Sequence, residues 1–302
     1  MKKLMLIVNP NAGKSGYKSG LGEALHIFYQ AGYLPHVYFT AAPADATHLA
    51  IKHARDYDLL VCMGGDGTLS ETTAGLAQIS GAPDLGYIPM GTANDVAASL
   101  GLSENAAEAA QTIVTGRPMA MDLGLFNSGS FFTYIAAFGA FTDVSYVTPQ
   151  QSKQALGHFA YVLEGMKSLP KLPTTHALVE YDNGEIEGDF IFGGVTNSTS
   201  LAGLIRLDSS LVELGDGLFE VILVRTPKSI IDLQTAFSEF VNKQYSGSQI
   251  TILHSRSIRF HFPEPVAWTR DGENGGEHKD VHLENLQHAV HIRVSPERFA
   301  EQ

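Results

Sequence analysis

The chain has 302 residues, 44% of them hydrophobic, and a formal net charge of -12 at pH 7. That length supports two domains with separate cores, and the acidic balance argues against a nucleic-acid partner and against any global attraction to an anionic membrane. Cys62 is the only cysteine, so no internal disulfide forms, which fits a reducing, cytoplasmic compartment, and the twelve histidines show no zinc-site spacing.

The first apolar run, Leu4 to Val8, stops at Asn9-Pro10. It is too short for a secretory signal and predicts a strand. No window approaches the roughly 20 apolar residues of a membrane span, so lipid contact is expected to be peripheral. After the strand comes the loop Asn9-Pro10-Asn11-Ala12-Gly13-Lys14-Ser15-Gly16, which lacks the G-x-x-x-x-G-K-[ST] spacing of a Walker loop. It reads either as a ligand loop at a strand end or as a plain strand-to-helix turn.

Beyond it, strand-like and helical runs alternate: Gly20 to Ala31 helix, Leu34 to Phe39 strand, Ala44 to Tyr57 helix, Leu59 to Met63 strand. Such alternation predicts parallel strands with helical crossovers. Cys62 sits in the run Leu59-Leu60-Val61-Cys62-Met63 and is expected to be a core thiol. That strand leads into Gly64-Gly65-Asp66-Gly67-Thr68-Leu69-Ser70-Glu71, with a helix expected over Glu71 to Ile79. Glycines permit close approach to phosphate oxygens and a helix N-terminus offers unpaired N–H groups. Asp66 would face a polyphosphate only with a magnesium ion's support; the bland alternative makes Asp66 and Thr68 simple caps. A third loop, Gly91-Thr92-Ala93-Asn94-Asp95, follows the strand Leu85 to Ile88 and precedes a helix at Asp95 to Leu100, and a further helix is expected at Ala106 to Thr115. Asn94 or Asp95 alone reads as an N-cap, but three such loops on successive strands converge at one sheet edge.

From about Met119 the texture becomes strand-rich: Met121 to Phe126, Phe131 to Ala137, His176 to Tyr181, Glu185 to Thr196, Leu218 to Arg225, Gln249 to His254, Ser257 to Phe262 and His288 to Val294. Helices are expected only at Gly157 to Leu169, stopped by Lys171-Leu172-Pro173, and at Ile230 to Tyr245. The reading is therefore an open α/β domain over 1–125 and a larger β-rich sandwich or barrel-like domain over 126–302. In the second domain, Asp271-Gly272-Glu273 offers a carboxylate on a glycine turn, with partial burial and Asp271 expected to raise the Glu273 pKa, or else is an acidic turn. Glu213-Leu214-Gly215-Asp216-Gly217-Leu218 offers oxygen ligands for a hard cation or is a hairpin turn. Phe131-Phe132-Thr133-Tyr134-Ile135 and Phe138 are expected mainly as core, with an acyl-chain channel as the alternative.

Together, Asn9-Pro10-Asn11-Ala12-Gly13, Gly64-Gly65-Asp66-Gly67-Thr68, Gly91-Thr92-Ala93-Asn94-Asp95, Gly215-Asp216-Gly217 and Asp271-Gly272-Glu273 resemble, in order, the diacylglycerol kinase catalytic superfamily, in particular its soluble bacterial lipid kinases. The resemblance implies an N-terminal nucleotide-binding domain of the phosphofructokinase and NAD kinase kind, to which the chain end returns through a segment near 288–295. It places ATP on Asn9 to Gly13, Thr40, Gly64, Gly65, Asp66, Gly67, Thr68, Glu71, Thr92 and Asn94, with Glu273 as the base and Asp271 beside it. It also implies a structural Mg2+ held by Asp216, Glu213 and the Leu218 carbonyl, linked through water to Asp66 and Asp95. The implied acceptor is a lipid hydroxyl at the inner membrane face, diacylglycerol first, from a peripheral and cytoplasmic enzyme that the family also allows as a homodimer. The rivals are a NAD kinase and a nucleotide- or lipid-binding regulator without turnover. Departures from the family pattern are Ser70 for asparagine, Val96-Ala97-Ala98 for an aromatic-alanine-arginine continuation, and Glu213 and Gly215 before Asp216.

Overall fold

The computed structural model describes residues 1–13, 18–139, 174–201, 205–206, 212–241 and 247–299. By contact density the chain forms two compact units, Met1–Leu123 with Leu286–Gln302, and Gly124–Asn285.

The first unit opens with β1 (Lys2–Val8), α1 (Lys18–Gln30), β2 (Tyr33–Phe39) and α2 (Asp45–His53). It continues through β3 (Leu59–Gly64), α3 (Asp66–Ala77), β4 (Asp84–Pro89), α4 (Asp95–Leu100) and α5 (Ala106–Thr115). β2, β1, β3 and β4 lie side by side and run parallel, and the end of the last strand joins beside β4 with Ile292 opposite Leu85. Leu4, Leu6, Val8, Leu59, Val61 and Met63 pack with Ala24 and Phe28 of α1 and Ala109, Ala110 and Ile113 of α5. The alternate residues Met5, Ile7, Leu60 and Cys62 are fully buried too, so both sheet faces are covered, as βαβ crossovers require. Burial pushes the Cys62 thiol up to about 12, against a smaller opposing effect from its hydrogen bond with Thr72.

The second unit is antiparallel. β5 (Arg117–Phe126) enters it, followed by β6 (Ser130–Phe132), β7 (Ile135–Gly139), β8 (Thr175–Tyr181), β9 (Gly184–Thr196) and the short pair β10 (Ser200–Leu201) and β11 (Ile205–Arg206). Then come β12 (Phe219–Arg225), α6 (Ile230–Val241), β13 (Ile250–Ser255), β14 (Ser257–Arg270) and β15 (Glu273–Val294). The strand order is β13-β12-β9-β7-β14-β15, with β8 also bridging β9 and β14. Its core is aromatic: Trp268 lies 5.0 to 6.2 Å, ring centre to ring centre, from Phe138, Phe260, Phe126 and Phe262. Phe132 and Phe138 are fully buried in this cluster, which favours the packing role for both.

Three elements differ from expectation for local reasons. α3 begins at Asp66, five residues before the expected start, because Gly65 is extended at the N-cap and its carbonyl already accepts from Leu69. The expected Phe131 to Ala137 strand breaks into β6 and β7, because the amides of Thr133, Tyr134 and Ile135 bond to a carboxylate rather than to a neighbouring strand. The expected His288 to Val294 strand is the end of a strand of 22 residues, kinked where His288 has φ 56 and donates its N–H to Asp122. Lys14 to Gly16, the helix expected at Gly157 to Leu169, its stop Lys171-Leu172-Pro173 and the end of the helix expected to reach Tyr245 lie outside the described residues.

Candidate active site

In a parallel sheet every strand delivers its following loop to the same edge. Here the ladder continues past the strand ends, with Asn9 N–H bonded to Met63 O at 3.0 Å and Met90 N–H to Gly64 O at 2.7 Å. Asn9 donates its amide to the Thr68 hydroxyl at 2.9 Å and accepts the Asn11 N–H at 2.9 Å, tying the first loop to the second. Gly13 has φ 67, and a Cβ there would collide with the Met90 carbonyl, so the first loop also seats on the third. A Cβ on Gly91 would lie 2.8 Å from the Gly65 Cα, so the second and third loops touch backbone to backbone. Asp66 accepts the Val96 N–H at 3.4 Å and adds a polar tie between the same two loops.

The third loop is shaped by Asn94, which is buried in the left-handed region at φ 52. Its Oδ1 accepts the Gly91 N–H at 2.8 Å, and its Nδ2 donates to Gly91 O and to Glu104 Oε1, both at 3.2 Å. Glu104, an acceptor-only group when ionised, fixes which way that amide points. The residue carries no signal in the sequence, because an isolated glutamate between two helices looks like any solvated side chain. Asp95 is buried in the first turn of α4 and Thr92 is exposed. Thr40 is buried, with its N–H on Val8 O at 3.0 Å. Glu71 lies on α3 one turn past Thr68, where its carboxylate accepts the N–H groups of Ala44 at 2.8 Å and Ala46 at 3.2 Å.

In the second unit, Asp271 and Gly272 have φ 47 and φ 79 and form the tip of the β14–β15 hairpin, between the paired Arg270 and Glu273. Two successive left-handed residues match the right-handed twist of the flanking strands, the reason Asp-Gly suits this turn. The Asp271 carboxylate accepts three N–H groups, from Thr133 at 2.7 Å, Tyr134 at 3.0 Å and Ile135 at 3.1 Å, and its own N–H reaches Ile135 O at 2.8 Å. Its charge is therefore spent on the β6–β7 connection instead of acting as a bare neighbour of Glu273. Glu273 is exposed, contrary to the expected partial burial, because it is the first residue past the hairpin tip.

Glu213 and Asp216 are also exposed. Asp216 Oδ1 accepts the Leu218 N–H at 2.9 Å, an Asx turn that makes the segment a tight entry to β12. The Leu218 carbonyl accepts from Asn285 at 3.1 Å and retains a second lone pair. This donor set is all oxygen and leaves much of a coordination sphere to water, which suits magnesium. Among the described residues, no three histidine, cysteine, aspartate or glutamate side chains converge into a closed metal cage.

Residues 3–126 match the model of a family described as the diacylglycerol kinase catalytic domain. A diacylglycerol kinase of Bacillus subtilis (strain 168) is 34% identical over 306 aligned residues, spanning 100% of this chain and 99% of that protein. A diacylglycerol kinase of Staphylococcus epidermidis is 32% identical over 100% of this chain and 95% of its own length. A crystal structure of a diacylglycerol kinase from Bacillus anthracis str. Sterne superimposes with a TM-score of 0.76 at 25% identity, covering 98% of both chains.

Proposed function

Because this chain belongs to the diacylglycerol kinase catalytic family, a family of lipid kinases, we propose that it transfers the γ-phosphoryl group of ATP to the hydroxyl of diacylglycerol, giving phosphatidic acid and ADP. The observation that carries the reading is the mutual seating of three glycine loops at the carboxyl edge of one parallel sheet. Gly13, Gly65 and Gly91 let the three loops seat on one another at the backbone, and in this reading their N–H groups and the hydroxyls of Thr68 and Thr92 meet a triphosphate at close range. In this role the first unit is a nucleotide-binding domain of the phosphofructokinase and NAD kinase kind.

Asp66 and Asp95 beside a polyphosphate call for a counterion: two unit charges about 4 Å apart at an effective dielectric near 20 repel by about 4 kcal/mol. A magnesium ion carried with the nucleotide would supply that neutralisation, and within the second unit Asp216, Glu213 and the Leu218 carbonyl are oxygen groups that would suit a structural magnesium ion. Glu273 accepts the proton of the lipid hydroxyl as that oxygen bonds to the γ-phosphorus and the bond to the β-phosphate oxygen breaks. Among the described residues no helix is long and apolar enough to cross a membrane; in this reading the enzyme meets its lipid at a membrane surface.

The Val96-Ala97-Ala98 departure weighs little against turnover. Val96 and Ala97 are buried, and only Ala98 reaches the surface where a cation would stand. The test is labelled ATP with magnesium, offered either diacylglycerol in mixed micelles or NAD. Label in phosphatidic acid is expected. Label in NAD alone would replace the reading with a NAD kinase, and ATP binding without transfer to any acceptor would make the protein a regulator.

A further inference from the structure

We infer that Asp45, together with Glu71, is a positioning residue for the nucleotide, holding the Thr40 to Ala46 connection in the shape that binding needs; this rests on the kinase reading above. The connection runs Thr40-Ala41-Ala42-Pro43-Ala44 before α2 starts at Asp45, and after Thr40 it has no polar side chain of its own. Three alanines carry no polar group, Pro43 has no N–H, and Ala44 is held at φ 66, a conformation that alanine does not favour.

Its backbone is secured from outside by two carboxylates. Asp45 Oδ2 accepts the N–H groups of Ala41 at 2.7 Å and Ala42 at 2.9 Å. Glu71 Oε1 accepts from Ala44 at 2.8 Å and Oε2 from Ala46 at 3.2 Å, while Thr47 donates its hydroxyl to the Glu71 carbonyl at 2.8 Å. The amide bonds hold the Asp45 carboxyl below the ordinary carboxylate range, the direction expected for an anion fixed by N–H donors.

Two consequences bear on the nucleotide. Both Glu71 oxygens are engaged by α2 and its approach, so the residue works on the loop and not as a phosphate ligand. Glu71 also stands three residues after Thr68 on α3, so the second glycine loop and the Thr40 connection are joined through one rigid helical turn. Asp45 lies outside every glycine motif, and only the structure assigns it to this unit of function.

The experiment compares wild type, Asp45→Ala, Asp45→Asn, Glu71→Ala and Glu71→Gln in steady-state kinetics with ATP and diacylglycerol micelles, and in amide hydrogen exchange without nucleotide. Asp45→Ala is expected to raise KM for ATP about 5- to 10-fold, the worth of about one solvent-exposed hydrogen bond, with kcat within about twofold. Exchange over 41–46 should quicken in both alanine variants, and Asp45→Asn, which retains an acceptor oxygen, should recover most of the affinity. An unchanged KM in Asp45→Ala despite faster exchange would overturn the proposal. So would a raised KM in Glu71→Ala with unaltered exchange over 41–46, since that pattern marks a direct nucleotide contact. Wild type that binds no ATP at all would sink the kinase reading and this inference with it, a result distinct from either of the others.

Discussion

Replacing Asp271 separates an anchoring role from a proton-transfer role. Its carboxylate is buried and accepts three backbone N–H groups of the β6–β7 connection. Asp271→Ala leaves three donors unpaired at about 1–3 kcal/mol each, and alanine adds about 1 kcal/mol for the left-handed backbone at φ 47. The sum, about 4–10 kcal/mol, is of the order of a whole domain's stability. Asp271→Asn keeps one oxygen for Tyr134 and Ile135 and tolerates the left-handed backbone, but turns an NH2 toward the Thr133 N–H, for about 2–3 kcal/mol. Urea unfolding followed by Trp268 fluorescence reports on the second unit, whose core holds that side chain. The expected order of stability is wild type, then asparagine, then alanine, with faster amide exchange at 133–135. If both variants unfold at the wild-type midpoint while kcat collapses, Asp271 acts on the reaction and the anchoring argument fails.

Glu273→Gln should lower kcat by about 10²- to 10⁴-fold, the usual worth of a general base, and leave ATP affinity within a factor of about two by calorimetry; unchanged turnover would remove Glu273 from the mechanism. His176 between Asp189 and Glu187, and His261 between Asp280 and Glu180, have pKa values raised chiefly by those carboxylate hydrogen bonds. Raised folded values mean that this stabilisation is fully present below the unfolded histidine range and lost as pH rises through the folded pKa values. Thermal unfolding between pH 6 and 9 should therefore show a falling midpoint that flattens in a His176→Gln, His261→Gln double variant; the same slope in the variant would refute it. Cys62, buried and with its thiol pushed up to about 12, should resist a disulfide-exchange reagent in the native state and react on unfolding.

Much of the architecture was legible because it rests on local pattern. Alternating apolar runs and helical spacing gave β1 to β4 and the helices between them, since both faces of a parallel sheet must be covered. What the pattern could not show were features made by contacts distant in sequence. The break between β6 and β7 depends on Asp271, more than 130 residues away, and the long β15 depends on its pairing with β14. The early start of α3 depends on glycine at an N-cap, where local statistics read only a turn. The glycine loops were visible as motifs, and the structure adds how they seat on one another. Glu104 and Asp45 were silent because a carboxylate that binds backbone amides has the same sequence signature as one in solvent. Glu71 was visible by its place after the second loop, and the structure adds its bonds to the N–H groups of Ala44 and Ala46.

Amide exchange of the full-length protein with and without magnesium and a non-hydrolysable ATP analogue probes the nucleotide claim at its source. Protection should appear together in 9–13, 40–46, 64–71 and 90–95, the stretches that meet at the sheet's carboxyl edge. Protection confined to other segments, or none at saturating analogue, would contradict the account.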